Sequence, residues 1–144
     1  MPTPTDEEFI AYNKSVIAEF RANGGAVTQP TFPILLLTTT GARTGRRSTV
    51  PLGFGIDRDR VFVVASKAGA ATHPAWFHNL RAKPSVTVEM GNDTFEATAL
   101  ITEGAERDRL YRIVTGGAPG RNAYEQNTTR VFPVVVLDGV RPPT

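Results

Sequence analysis

Cysteine is absent from the sequence, which excludes disulfides, thiolate metal sites and cysteine nucleophiles. That absence accords with a reducing cytosol, and a cytoplasmic location is expected. Histidine is scarce. His73 and His78 stand five residues apart, a spacing that gives neither an HExxH helix nor a multi-histidine site, so no metal is expected. No apolar run approaches the roughly 20 residues of a membrane-spanning helix. The first residues are polar and acidic rather than basic and then apolar, so no signal peptide is expected, and the sequons at Asn13 and Asn127 are read as chance. The GxSxG elbow, the dinucleotide fingerprint and the Walker loop are all missing; the run from Gly41 to Arg46 has the wrong spacing for the last two. A net charge of +2 is too small to argue for a nucleic-acid partner.

What is present is an ordinary globular composition, 40% hydrophobic and 21% charged, in 144 residues. One domain spanning 1–144 is expected, with an N-terminal helical region over 1–24. Thr5 and Glu8 form a capping box. Phe9, Ile10, Val16, Ile17 and Phe20 recur at helical spacing, which predicts an amphipathic helix over 6–22. Such a helix either packs on the rest of the fold or acts as a lid or membrane-surface element. Its mixed polar face of Lys14, Glu19 and Arg21 weakens the membrane alternative.

Strands are expected over 34–40, 49–56, 60–66, 85–90, 94–102 and 131–137, and further helices over 74–82 and 103–114. Pro51 implies an edge or a bulge, because proline donates nothing to a ladder. Gly53 and Gly55 around Phe54 imply a bend or a close approach by a ligand. The run Val61–Ala65 reads as buried on both faces. In the third helix, Leu110, Ile113 and Val114 are expected to face inward. About six short strands with hairpin-like links and segregated helices predict an α+β fold, a small mixed barrel, rather than a doubly wound sheet.

Three places carry candidate chemistry. Arg43, Arg46 and Arg47 fall within five residues, in a stretch with no acid from Thr38 to Ile56. Gly41 and Gly45 are expected to let backbone N–H groups point into a concavity, and Thr44, Ser48 and Thr49 add hydroxyls. This set suits a phosphate or carboxylate, or else forms a solvated basic hairpin. Lys67, at the end of a buried strand, either holds an anionic tail or lies at the surface. Trp76 either lines a flat ring or packs in the core. Asn79, one helical turn on, is able to donate to a phosphate or carbonyl. The residues alone point to a planar, phosphate-bearing cofactor without naming it.

The runs LLLTTTGARTGRRSTVPLGF and VASKAGAATHPAWFHNLRAKPSVTV resemble the deazaflavin (F420)-dependent nitroreductase family, whose members include F420H2-dependent quinone reductases. The resemblance extends from the first helix to the final PVVVLD strand. It implies a split β-barrel of the FMN-binding type, and coenzyme F420 as cofactor. Carried over by position, it places the phosphate and lactyl-glutamyl tail near Arg43, Thr44, Ser48 and Lys67. Thr49, Val50, Pro51 and Leu52, with Val64, Ala65 and Ser66, would border the deazaflavin. Ala75, Trp76, Phe77, His78 and Asn79 would form the helix edge of the site. The implied reaction is hydride transfer from F420H2 to a small-molecule acceptor, a quinone, activated alkene or nitro compound. Tyr124 is the residue expected to contact the acceptor or donate a proton. The alternatives are an FMN-dependent oxidoreductase of the same fold, and a non-catalytic F420 carrier.

Overall fold

The computed structural model describes residues 6–65, 73–115 and 131–142. Among them are three helices, α1 (Asp6–Ala22), α2 (Ala75–Ala82) and α3 (Gly104–Thr115). The strands are β1 (Ile34–Thr40), β2 (Arg47–Gly53), β3 (Gly55–Asp57), β4 (Arg60–Val64), β5 (Ser85–Met90), β6 (Asp93–Ile101) and β7 (Val134–Asp138). All pairings are antiparallel, in the order β2-β1-β5-β6-β7-β4-β3. The seventh strand arises because the expected strand over 49–56 is two strands broken at Phe54.

That break shapes the sheet. β2 and β3 are its two edges, yet only Phe54 separates them in sequence. The sheet must therefore curl until its edges meet at Phe54. The hydrogen-bonded ladder stays open there, and the chain itself joins the edges. Glycine allows a close approach at both sides of the joint. A Cβ on Gly53 would lie 3.0 Å from the Phe32 ring, and one on Gly55 would clash with the edge of the Phe62 ring at its Cζ. The close approach anticipated at these glycines is thus made by two phenylalanine rings. Pro51 sits on β2, an edge strand, where its missing N–H costs no ladder bond.

The two-residue period of the strands sorts their side chains into three cores. Leu35, Leu37, Val61, Val63, Val86, Val88, Ala97, Val135 and Leu137 point inside the curled sheet, and Trp76, Phe77 and Leu80 of α2 plug it. Burying each of those large side chains is worth about 1.5–3 kcal/mol relative to exposure. On the outer face, Ile34 and Leu36 lie under Val16 and Phe20 of α1. Phe62, Val134 and Val136 lie under Leu110 and Tyr111 of α3. β1, β4 and β7 are therefore covered on both faces, as the Val61–Ala65 run predicts.

Helix α1 packs on the sheet through its second half, while Ile10 and Tyr12 of the first half remain exposed. Helix α3 departs from expectation. Leu110 is buried, but Ile113 and Val114 are 44% and 45% exposed, and Tyr111 takes the inward position. The reason is the neighbour of the facing surface: Arg107 donates twice to the carbonyl of Phe132 and stacks over the Tyr111 ring. That contact turns the 107/110/111 stripe toward the sheet and rotates Ile113 off it. Ion pairs of Asp57 with Arg60 and Arg109, and of Glu106 with the same two arginines, tie the β3–β4 hairpin to the helix.

Candidate functional site

Strand direction decides what gathers at one end of the barrel. Across the antiparallel pairings, β1 and β4 run the same way and β2, β5 and β7 run opposite. The 41–46 turn, the exit of β4 at Ala65 and the entry of β7 are consequently at the same end. Ala65 N–H donates to the carbonyl of Pro133 at 2.9 Å, so the last two points are neighbours. Helix α2 follows from the β4 end and packs on β1, reaching the turn. Ser66, Lys67 and Tyr124 lie outside the described residues.

The turn is closed by its own hydrogen bonds. Gly41 N–H donates to Arg46 O at 2.7 Å and Gly45 N–H to Gly41 O at 3.0 Å. Gly45 has φ +73°, the left-handed backbone that favours glycine. Arg46 N–H donates to Thr44 Oγ1 at 3.2 Å, and Ala42 N–H to Asn79 Oδ1 at 3.1 Å. The expected concavity of free amides at Gly41 and Gly45 is therefore not formed. Four N–H groups are spent inside the turn or on α2. An anion there meets the side chains of the turn and whichever of the Arg43 and Thr44 amides faces it.

Those side chains divide by face. Arg47 points to the outer surface, where it donates to Thr87 Oγ1 at 2.6 Å, and Thr87 donates in turn to Glu96. It is not one of the cations grouped at the turn. Arg43 and Arg46 are exposed and belong to none of the ion pairs of the described residues. A third cation joins them that sequence reading passed over. Lys83, just past α2, brings Nζ to 3.4 Å from the Gly41 carbonyl. The signal was available, since Lys83 follows Asn79 by four residues and shares its helix face. The Gly-Arg run alone does not reveal it.

Register also separates the strand residues predicted for the ring. Val50 and Leu52 pack against the interior core, and Ser48 shares their side. Thr49 and Pro51 face outward, and the Thr49 hydroxyl lies 2.7 Å from that of Thr38. Ala65 belongs to the interior core, whereas Val64 packs outside under α3. Side chains of Ser48, Val50, Leu52 and Ala65 thus share the inner side, which Thr49, Pro51 and Val64 do not.

On α2, Trp76 and Phe77 are core residues at 8% and 4% exposure, so that any ligand meets little of either. Ala75 and His78 are exposed, and His78 Nδ1 lies 3.2 Å from the Arg81 guanidinium. Asn79 is bound at both ends of its amide. Its Oδ1 accepts from Ala42, and its Nδ2 donates to Thr39 Oγ1 at 3.1 Å. It fastens α2 to both β1 and the turn.

Among the described residues no cluster of acids and histidines is placed to hold a metal. A surface hollow of about 640 Å³ lies at the other end of the barrel, bordered by Arg58, Arg60, Asp59, Asp138 and Arg141. None of the predicted site residues lines it. Asp59 and Asp138 border it alongside Arg58 and Arg141, and Arg60 is already paired with Asp57 and Glu106. At the turn, Arg43, Arg46 and Lys83 take part in none of the ion pairs of the described residues.

A model of the F420H(2)-dependent quinone reductase family matches residues 12–139. The chain is 41% identical over 108 residues to an F420H(2)-dependent quinone reductase of Mycobacterium tuberculosis, covering 73% of this chain and 72% of that one. Among solved structures, an F420-H2 dependent reductase superposes with a TM-score of 0.65 at 36% identity, covering 74% of this chain and 94% of the other. A pyridoxamine 5'-phosphate oxidase-like protein from Listeria innocua shares the fold alone, with a TM-score of 0.52 at 13% identity over 90% of this chain and 93% of that one. The open, curled sheet is accordingly the split barrel expected from the sequence.

Proposed function

This chain belongs to the F420H(2)-dependent quinone reductase family, and on that premise we propose that it reduces a quinone with F420H2. The observation that carries the reading is the cluster of Arg43, Arg46 and Lys83 around one turn, in no ion pair of the described residues. Exposed cations so placed suit a ligand that brings several negative charges of its own. F420 does so through a phosphate and glutamates. The cofactor, when bound, supplies the hydride chemistry. The chain binds, orients and screens. Arg43, Arg46 and Thr44 hold the tail, and the inner face of β2, with Ser48, Val50 and Leu52, borders the ring.

Ala65 and the edge of α2 close the opposite side, and Asn79 keeps α2 and the turn in fixed relation. Lys67 and Tyr124 join this reading through the family resemblance, Lys67 on the tail and Tyr124 at the acceptor. The protein forms no covalent bond to substrate in this scheme. Its contribution is geometry and exclusion of water.

The test is direct. Purified protein is titrated with F420 and with FMN by fluorescence polarisation, and the F420H2 complex is then mixed with menadione while reoxidation is followed. Binding of F420 with quinone-dependent reoxidation is expected. No F420 binding refutes the reading, FMN binding in its place supports the FMN alternative, and F420 binding without reoxidation by any quinone supports a carrier.

A further inference from the structure

The geometry points to Lys83 as a binding residue that makes the site select a charged cofactor tail over the bare deazaflavin; this rests on the F420 reading above. Lys83 caps α2, its backbone N–H donating to Asn79 O at 2.8 Å. From there the side chain extends over the turn. Its ammonium lies 3.4 Å from the Gly41 carbonyl and 3.9 Å from the point where a Cβ on Gly45 would stand.

An ammonium carries three donors, and one long bond to a carbonyl leaves capacity for an anion. The ion pairs of the described residues leave Lys83 out. Glu89 pairs with Arg21, Asp57 and Glu106 with Arg60 and Arg109, and Asp108 with Arg107. Glu96 accepts from Thr87 on the outer face. The backbone that carries Lys83 is also held in place. Asn79, four residues earlier, accepts the Ala42 N–H and so locks the turn to the helix that carries Lys83. A lysine set on that unit meets a tail phosphate or carboxylate with less ordering cost than one on a free loop. With the turn's amides at Gly41, Ala42, Gly45 and Arg46 spent, the side-chain cations are the charged donors left to discriminate by charge.

The experiment compares two ligands by fluorescence polarisation: F420, and the same deazaflavin lacking phosphate and glutamates. Wild type, Lys83→Ala, Lys83→Arg and Arg47→Ala are titrated at low and high salt. Lys83→Ala is expected to weaken F420 binding about 3- to 10-fold at low ionic strength, with the difference shrinking in high salt. Its affinity for the tail-less deazaflavin should equal that of wild type. Lys83→Arg should restore F420 affinity to within about 2-fold, and Arg47→Ala, which removes an equal charge from the outer face, should match wild type. Unchanged F420 affinity in Lys83→Ala overturns the inference, as does equal weakening for both ligands, which marks a distorted turn. Failure of the wild type to bind F420 overturns the cofactor reading itself, and the inference with it.

Discussion

Replacing Asn79 with alanine removes a side chain that bonds both β1 and the 41–46 turn. The two lost bonds are unequal. Ala42 is exposed, so water replaces the amide oxygen that its N–H loses. Thr39 is 1% exposed, so its hydroxyl is left in the interior without that donor. A stranded buried hydroxyl costs about 1–3 kcal/mol, while the water-replaced bond adds only a few tenths. For a chain of this size about 2–5 °C of melting temperature corresponds to each kcal/mol, so a drop of about 3–15 °C is expected.

Asn79→Asp is the informative partner. A carboxylate still accepts from Ala42, and the Thr39 hydroxyl rotates to donate to it, so most of the stability should return. Its negative charge, however, stands beside Arg43, Arg46 and Lys83, and F420 binding should weaken. Thermal unfolding by circular dichroism and hydrogen exchange at the Ala42 amide measure the two effects. An Asn79→Ala protein that melts within about 1 °C of wild type, with Ala42 equally protected, would refute the reasoning.

Other consequences are as direct. Hydrogen bonds from Arg109, then Arg60, hold the Asp57 carboxyl well below the usual carboxylate range. The unfolded chain therefore binds the extra proton first, and this stability is full above a pH of about 4 and lost as pH falls toward the folded-state value. Asp57→Asn should flatten the acid limb of a melting-temperature profile between pH 2 and 7, and an unchanged limb would count against the network. Gly55→Ala drives a Cβ into the Phe62 ring and should destabilise the joint between β2 and β3 by about 1–3 kcal/mol in urea titrations. Tyr124→Phe should slow quinone-dependent reoxidation while leaving F420 affinity unchanged; equal rates would remove Tyr124 from the acceptor side.

Particular residues show how far sequence reaches. The period of Phe9 to Phe20, the alternation of Val86 and Val88, and the turn residues at Arg58-Asp59 and Gly91-Asn92 are local signals, and local backbone preference suffices to place those elements. Pro51 announced an edge strand by chemistry that holds in any fold. The motifs flanking the turn identified the family. Where the sequence misled, the missing information was direction. Arg43, Arg46 and Arg47 look alike in a string, but strand register sends Arg47 to Thr87 on the outer face. Thr49 and Val50 are neighbours in sequence and face opposite sides. Ile113 is as apolar as Leu110, yet the Arg107–Phe132 contact fixed which stripe of α3 met the sheet.

Alone, then, the sequence determined most of the elements and, through its motifs, the family and with it the split-barrel class, because periodicity and motif are properties of the chain. Tertiary structure decided which cations share a site. Lys83 reaches Gly41 across 42 residues only because α2 folds back over β1 and Asn79 fastens it there. No property of residues 41–48 encodes a charge contributed from another element. It exists once the sheet has curled and the helix has plugged it.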